Sequence, residues 1–288
     1  MIEKDQAIVL RTAPYSNTSR FVLWLTRAHG RIATLIKGAL RPKSAFIGQF
    51  DLFYTCELLY YIRDRAGLHI ARECTPLKPR APLREKWRAC LGASYLADLC
   101  ARALPDAAAA PPIFDWLDAA LDELAEGETP LETILRAELA FLDLLGLRPV
   151  LDRCAVCGNP AGRTSFFAAA GGGRLCGRCA PRARNAHPAP PDALAILAGW
   201  QFAQSPREAR AIRCSTRQAR DIEALLGAFL CHHLELDPVS RRLAYAGIAD
   251  GASAHRGRAP SFRMRSGMGL ARVCFFFIFA AQRRILVG

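Results

Sequence analysis

The sequence predicts an α+β protein: a small closed barrel of five β-strands, followed by a helical region interrupted by a cysteine-bearing insert. Three changes of pattern carry that expectation. Short runs of strand-like residues fill the chain to about residue 75, helical periodicity takes over from about residue 83, and residues 147–190 turn to Cys, Gly, Pro and Arg. With 288 residues, 51% hydrophobic and 23% charged, the chain is long enough to bury a core and to form two domains.

The five strand candidates are AIVLRT, RFVLWLT, RIATLIK, FDLFYTCELLYYI and LHIARE, separated by turn-like stretches such as PYSNTS and AHG. Phe21, Leu23 and Leu25 alternate with Val22 and Trp24, and Ile32, Thr34 and Ile36 with Ala33 and Leu35, so both faces are largely apolar. Five strands with no helical crossover suit a closed barrel, because closure removes the exposed edges of an open sheet. An SH3-like barrel satisfies the same pattern.

After the Pro-rich joint PLKPRAPL (76–83), Trp87, Leu91, Tyr95 and Leu99 recur about one turn apart and predict a helix over 83–104 with that stripe in the core. A second helix is expected near 113–125. Its acidic face (Asp115, Asp118, Asp122, Glu123) reads as solvated surface, since amphipathic helices produce such faces routinely. Thr129-Pro130-Leu131-Glu132 has the form of a capping box with Pro at the first helical position, predicting a helix from there to about Leu145, stopped at Gly146. Helical patterning returns at 191–204 and 216–235, the latter burying Ile222, Leu225, Leu226, Phe229 and Leu230.

Within the insert, Cys154-x2-Cys157 and Cys176-x2-Cys179 stand 18 residues apart, the spacing of a four-cysteine zinc site. Each pair supplies two thiolates from a tight turn, and TSFFAAAGGGRL between them is expected to form a hairpin with Gly171, Gly172 and Gly173 at its tip. Four thiolates leave no open coordination position, so one structural Zn²⁺ is the expectation. A redox pair or an iron–sulfur site is the alternative, and the absence of a βαβ pattern around either pair argues against a thioredoxin-like role. The other seven cysteines (Cys56, Cys74, Cys90, Cys100, Cys214, Cys231, Cys274) read as small buried hydrophobes, and His187, His232 and His233 as surface or helix-end residues.

The formal net charge of +13 is unevenly spread: +7 over residues 1–80, −6 over 81–150, +6 over 151–246 and +6 over 247–288. Basic modules flanking an acidic helical one point to a polyanionic partner. The N-terminus lacks the basic and apolar regions of an export signal, so a cytoplasmic protein is expected. Residues 246–288 form an atypical basic and apolar tail. Its run VCFFFIFAA is far shorter than the ~20 residues of a membrane span, and the tail is expected to be poorly ordered or an artefact of the gene's reading frame. No GxxxxGK[ST], GxSxG, HExxH or strand-following GxGxxG motif is present, and no enzyme is expected.

The stretch AIVLRTAPYSNTSRFVLWLTRAHGRIATLIKGALRPKSAF resembles the start of RecO proteins, and LRAELAFLDLLGLRPVLDRCAVCG, FFAAAGGGRLCGRC and HLELDPVSRRL follow in the family's order, so the resemblance covers about residues 6–245. It implies an OB-fold DNA-binding domain over 1–78 and a helical domain over 79–245 with its zinc insert at about 150–185. It also implies a DNA repair role: binding and annealing single- and double-stranded DNA, and with RecR helping to load RecA onto DNA covered by single-strand-binding protein. No membrane and no small-molecule substrate are implied, and a nucleoid-associated location is. The resemblance makes Lys37, Arg41 and Lys43 the first candidates for phosphate contacts, followed by Arg11 and Arg20. Phe21 and Trp24 are candidate stacking residues whose alternative place is the barrel core. Arg213, Arg217 and Arg220 are candidates for receiving an acidic tail of a single-strand-binding partner. Asn17 stands where relatives often carry an acidic residue.

Two readings of other classes compete. One is a zinc-dependent nucleic-acid enzyme using Asp118 and Asp122; the other is a zinc-ribbon scaffold that binds only proteins.

Overall fold

A computed structural model describes residues 1–250 except 64–66, 161, 163, 164 and 237. The expectations for the tail beyond Asp250, Cys274 among them, lie outside the described residues.

The first five strands are β1 (Ile2–Pro14), β2 (Arg20–Thr26), β3 (Gly30–Ile36), β4 (Thr55–Tyr61) and β5 (Leu68–Lys78). They close into a barrel in the order β1-β2-β3-β5-β4. All pairings are antiparallel except β3 with β5. That Greek-key closure is the OB fold and decides against the SH3-like alternative. β1 makes closure possible by serving two neighbours. Its first half pairs with β4, its second half with β2, and a register shift between Val9 and Arg11 bends the strand from one to the other.

Inside lie Val9, Val22, Trp24, Ile36, Cys56, Leu58 and Tyr60, all essentially inaccessible to solvent. The Trp24 indole N–H donates to Thr34 Oγ1 at 2.8 Å, which satisfies the one polar group the ring brings inside. Trp24 is therefore barrel core, and Phe21 is half-buried.

The remaining elements are α1 (Pro82–Glu85), α2 (Trp87–Ala103), α3 (Pro111–Glu126), α4 (Pro130–Leu144), β6 (Ser165–Ala168), β7 (Gly173–Cys176), β8 (His187–Pro188), α5 (Pro191–Phe202), α6 (Pro206–Ala211), α7 (Thr216–Leu234) and α8 (Val239–Asp250). Two compact units result. One holds Met1–Glu128 with the chain from Pro238 onward; the other holds Thr129–Asp237.

In the first unit, α8 lies on α2. Tyr245 and Tyr95 are buried with ring centroids 6.4 Å apart, and Ser240 Oγ donates to Asp98 at 2.6 Å. Of the predicted α2 stripe, Tyr95 and Leu99 are core, whereas Trp87 opens the helix and stays 44% exposed, lying against Gly247. The acidic face of α3 is only partly the solvated surface expected. Arg80 is 7% exposed, and its guanidinium donates to Asp118 Oδ1 and Asp122 Oδ1 (2.6 Å each), Thr55 Oγ1 (2.8 Å) and the Phe53 carbonyl (2.8 Å). Lys78 pairs with the same two carboxylates. The face thus clamps α3 to the barrel around a buried cation. Burial alone pushes the Asp118 carboxyl up, but Lys78, Thr55 and Arg80 outweigh it and hold the group below its ordinary value.

In the second unit, the expected capping box at 129–132 does not form. Thr129 makes no side-chain cap, and Glu132 turns inward to accept from Arg213 Nη1 (2.9 Å) and the Cys214 N–H (3.1 Å). The reciprocal box sits instead at the start of α7, between Ser215 and Gln218. α4 stops where expected, with Gly146 at φ +72°. Among the described residues no helix is long and apolar enough to cross a membrane.

Candidate functional site

The four cysteines of the insert converge. Cys154 and Cys157 come from the turn after α4, Cys176 ends β7, and Cys179 opens a 3-10 turn, Ala180–Arg182. β6 and β7 form the hairpin that carries the second pair, from Ser165↔Cys176 to Ala168↔Gly173, and β8 adds a short third strand. Gly171 and Gly172 stand at the tip as expected. Gly173 has φ +136°, and a Cβ there would lie 2.4 Å from the Val150 carbonyl oxygen, so only glycine lets the hairpin close against residue 150. Gly158, at φ +71°, completes the first turn, its N–H bonding the Cys154 carbonyl at 2.8 Å.

All four Sγ atoms lie within 4.8 Å of one another, and Cys157 Sγ and Cys176 Sγ are 3.8 Å apart. Four sulfurs at zinc–thiolate distance from one ion, about 2.3 Å, stand roughly 3.8 Å from each other in a tetrahedron. None of the four is in a disulfide. Burial opposes ionisation of Cys154, but the backbone N–H groups of Cys157, Cys176 and Val156 outweigh it and bring the thiol down to about 6. Cys176 is also lowered, chiefly by the backbone N–H groups of Cys179 and Arg178 despite burial. Cys179 is pushed up to about 12 by its hydrogen bond with Cys176, by burial and by its other sulfur neighbours. Protein groups alone thus favour some thiolates and oppose others, the imbalance a shared divalent cation removes. The cluster fits a metal ion. His233 instead bonds the Ala169 carbonyl at 3.0 Å, and His187 is exposed.

On the barrel, Lys37, Arg41 and Lys43 are all exposed on the segment joining β3 to β4, and none of their side chains makes a hydrogen bond or ion pair among the described residues. The segment is stiff. Successive turns run through Arg41 N–H to Gly38, Ser44 N–H to Arg41 and Ile47 N–H to Ser44, while Phe46, Phe50 and Leu52 tuck against the barrel core. Leu40 N–H bonds the Thr18 carbonyl at 3.0 Å, stitching the segment to the β1–β2 turn. Arg20, opposite Ile36 in the ladder and half-buried, sits at the same end of the barrel. Arg11 does not join them, because its guanidinium pairs with Asp98 of α2.

Sequence reasoning missed Tyr15, 59% exposed in the β1–β2 turn, and the exposed Leu40 and Ile47 on the basic segment. An aromatic residue in a polar turn between two strands was the available signal. Of the three arginines considered for an acidic tail, Arg213 pairs with Glu132 and Arg217 with Asp192 and Asp221, while Arg220 is exposed.

The fold and sites define an OB-barrel protein with a helical region and a metal-ready cysteine cluster. Residues 1–80 match the family described as Recombination protein O N terminal, and residues 84–242 match Recombination protein O C terminal. The chain belongs to this family of DNA repair proteins. It is 31% identical over 237 residues to DNA repair protein RecO of Myxococcus xanthus, covering 80% of this chain and 91% of that one. Over 248 residues it is 33% identical to DNA repair protein RecO of Anaeromyxobacter dehalogenans, covering 84% and 93%. A Roseiflexus protein of the same name is 32% identical over 245 residues, covering 85% and 84%.

Proposed function

We propose that this protein is a non-catalytic recombination mediator that binds and anneals single- and double-stranded DNA and, with RecR, assists RecA loading onto strands covered by single-strand-binding protein. The observation that carries the reading is the stiff, exposed and unpaired Lys37/Arg41/Lys43 segment on an OB barrel. Fixed cations gain affinity by displacing counterions from phosphates, and barrels of this kind add stacking of bases on aromatic rings. Arg20 extends the cationic row, and Tyr15, rather than Phe21 or Trp24, supplies the ring. Arg11 acts through Asp98 in holding β1 to α2 and contributes field but no direct contact. One structural Zn²⁺, held by Cys154, Cys157, Cys176 and Cys179, fixes the insert. The protein works in the cytoplasm, at the nucleoid.

The test is fluorescence anisotropy of a labelled single strand across a salt series. Wild type is expected to show a steep slope of log affinity against log salt, and a Lys37→Gln/Arg41→Gln/Lys43→Gln variant a slope shallower by about 2, three lost phosphate contacts at ~0.7 each. An unchanged slope refutes the assignment of these residues. ATP hydrolysis or strand cleavage by pure protein refutes the mediator reading.

A further inference from the structure

The cysteine module carries a second surface that the barrel reading does not use. Residues 151–190 contain six arginines and a single acidic residue, Asp152, with no lysine. Two of the arginines have structural work: Arg174 donates to Ser165 Oγ and the Leu151 carbonyl, and Arg153 lies 3.8 Å from Asp152. Arg178, Arg182 and Arg184 are different. All three are exposed, and none of their guanidinium groups has a hydrogen bond, ion pair or ring contact among the described residues.

They are also held in place by the metal turn. Arg178 lies between Cys176 and Cys179, and its backbone N–H faces the Cys176 sulfur. Arg182 N–H bonds the Cys179 carbonyl at 3.1 Å, and the 3-10 turn places Arg184 directly after it. The nine residues from Cys176 to Arg184 thus display three guanidinium groups from a backbone that two of the cluster's cysteines anchor. The side chains are not needed to hold the sulfurs, because backbone amides do that. Among the described residues of the insert only one large apolar side chain, Val156, is exposed, so the surface offers little to a peptide. A row of forked donors without apolar neighbours fits phosphates.

We infer that Arg178, Arg182 and Arg184 form a second nucleic-acid site, which takes the phosphate backbone of a DNA strand independently of the barrel segment. The cysteine cluster is then the part that pre-orders the site. Four thiolates around a divalent ion carry net negative charge, yet none of the three guanidinium groups pairs with a sulfur among the described residues, so their charge remains available to a ligand.

The experiment uses the full chain with metal bound. Arg178→Gln/Arg182→Gln/Arg184→Gln and the corresponding Arg→Lys set are compared with wild type for metal content, thermal midpoint and salt dependence of binding to a labelled single strand. Expected is unchanged metal stoichiometry, a slope shallower by about 2 in the Gln variant, and recovery of most of that slope in the Lys variant. A further decrease should appear when the Gln set is combined with the barrel Lys37/Arg41/Lys43 set. An unchanged slope with metal retained overturns the site, whether the arginines then serve an acidic protein or merely balance the thiolates. Should the Gln set lose metal, the Lys set decides: metal retained with a wild-type slope supports the site, and metal lost there too overturns it by making the arginines structural. Failure here leaves the slope change of the barrel variant intact, so the two readings fall separately.

Discussion

In the barrel, Ile8, Trp24, Leu25, Ile36, Leu58 and Tyr60 are fully buried large side chains. Around the four sulfurs the buried set is Cys154, Ala168, Leu175, Cys176 and Ala180, of which two are themselves the proposed ligands. At about 1.5–3 kcal/mol for each large apolar side chain taken from water, the barrel interior outweighs the ordering of its strands with help from pairing. Two alanines and a leucine around the sulfurs, with Leu151, Phe167 and Ala189 buried elsewhere in the insert, do less for a 40-residue segment. One region is ordered by its interior, the other, on the proposed reading, by a metal cross-link, and perturbations that act on interiors or on cross-links should separate them.

The largest separation should come from metal removal. Structural zinc in small domains is worth about 10–16 kcal/mol of coupled folding, so chelation should abolish amide-exchange protection across 150–190 while the strands of the barrel keep theirs. Simultaneous loss in both regions would show that the barrel too depends on the metal for its order. Next in size is Arg80→Ala, which removes the buried cation between Asp118 and Asp122 and leaves them only the half-exposed Lys78. A destabilisation of about 3–5 kcal/mol is expected in the urea midpoint of the barrel unit, with metal content unchanged.

The Asp118→Asn variant is smaller, about 1.5–3 kcal/mol at neutral pH, and sharpens the contrast through pH. The folded Asp118 is held below its ordinary value, as is Asp98, whose burial is outweighed by Ser240, Arg102 and Arg11. Their stabilisation is complete above the unfolded carboxylate value of about 3.9 and is lost as pH falls through the lower folded value. The difference between wild type and Asp118→Asn should therefore be constant from neutral pH to about 5 and shrink below about 4. Smallest is the Lys37→Gln/Arg41→Gln/Lys43→Gln set, expected to shift stability by no more than about 0.5 kcal/mol while changing DNA affinity.

Much of this was legible in the chain because its causes are local. Two CxxC turns announce a thiolate cluster wherever the chain takes them, and alternation located the five strands. What alternation does not encode is which strands become neighbours. The parallel β3–β5 pairing depends on β1 bending near residue 10 to serve two partners. Arg80 was hidden because a Pro-rich joint reads as a linker, and its importance arises only once Phe53, Thr55 and the α3 carboxylates surround it. Glu132 occupied the right place for a cap, but a buried partner at Arg213 and Cys214 drew it away. Tyr15 carries no periodic signal, since turns have none.

α8 returns to the barrel unit after the whole of Thr129–Asp237 has intervened. On a ribosome adding about 5–20 residues per second, the face of α2 around Tyr95 and Leu91 waits about 8–30 s before Tyr245 and Gly247 emerge to cover it. During that interval the nascent barrel unit presents an uncovered apolar groove to the cell's holdases. The same connectivity makes residues 129–237 an insertion within the barrel unit, whose own chain is discontinuous.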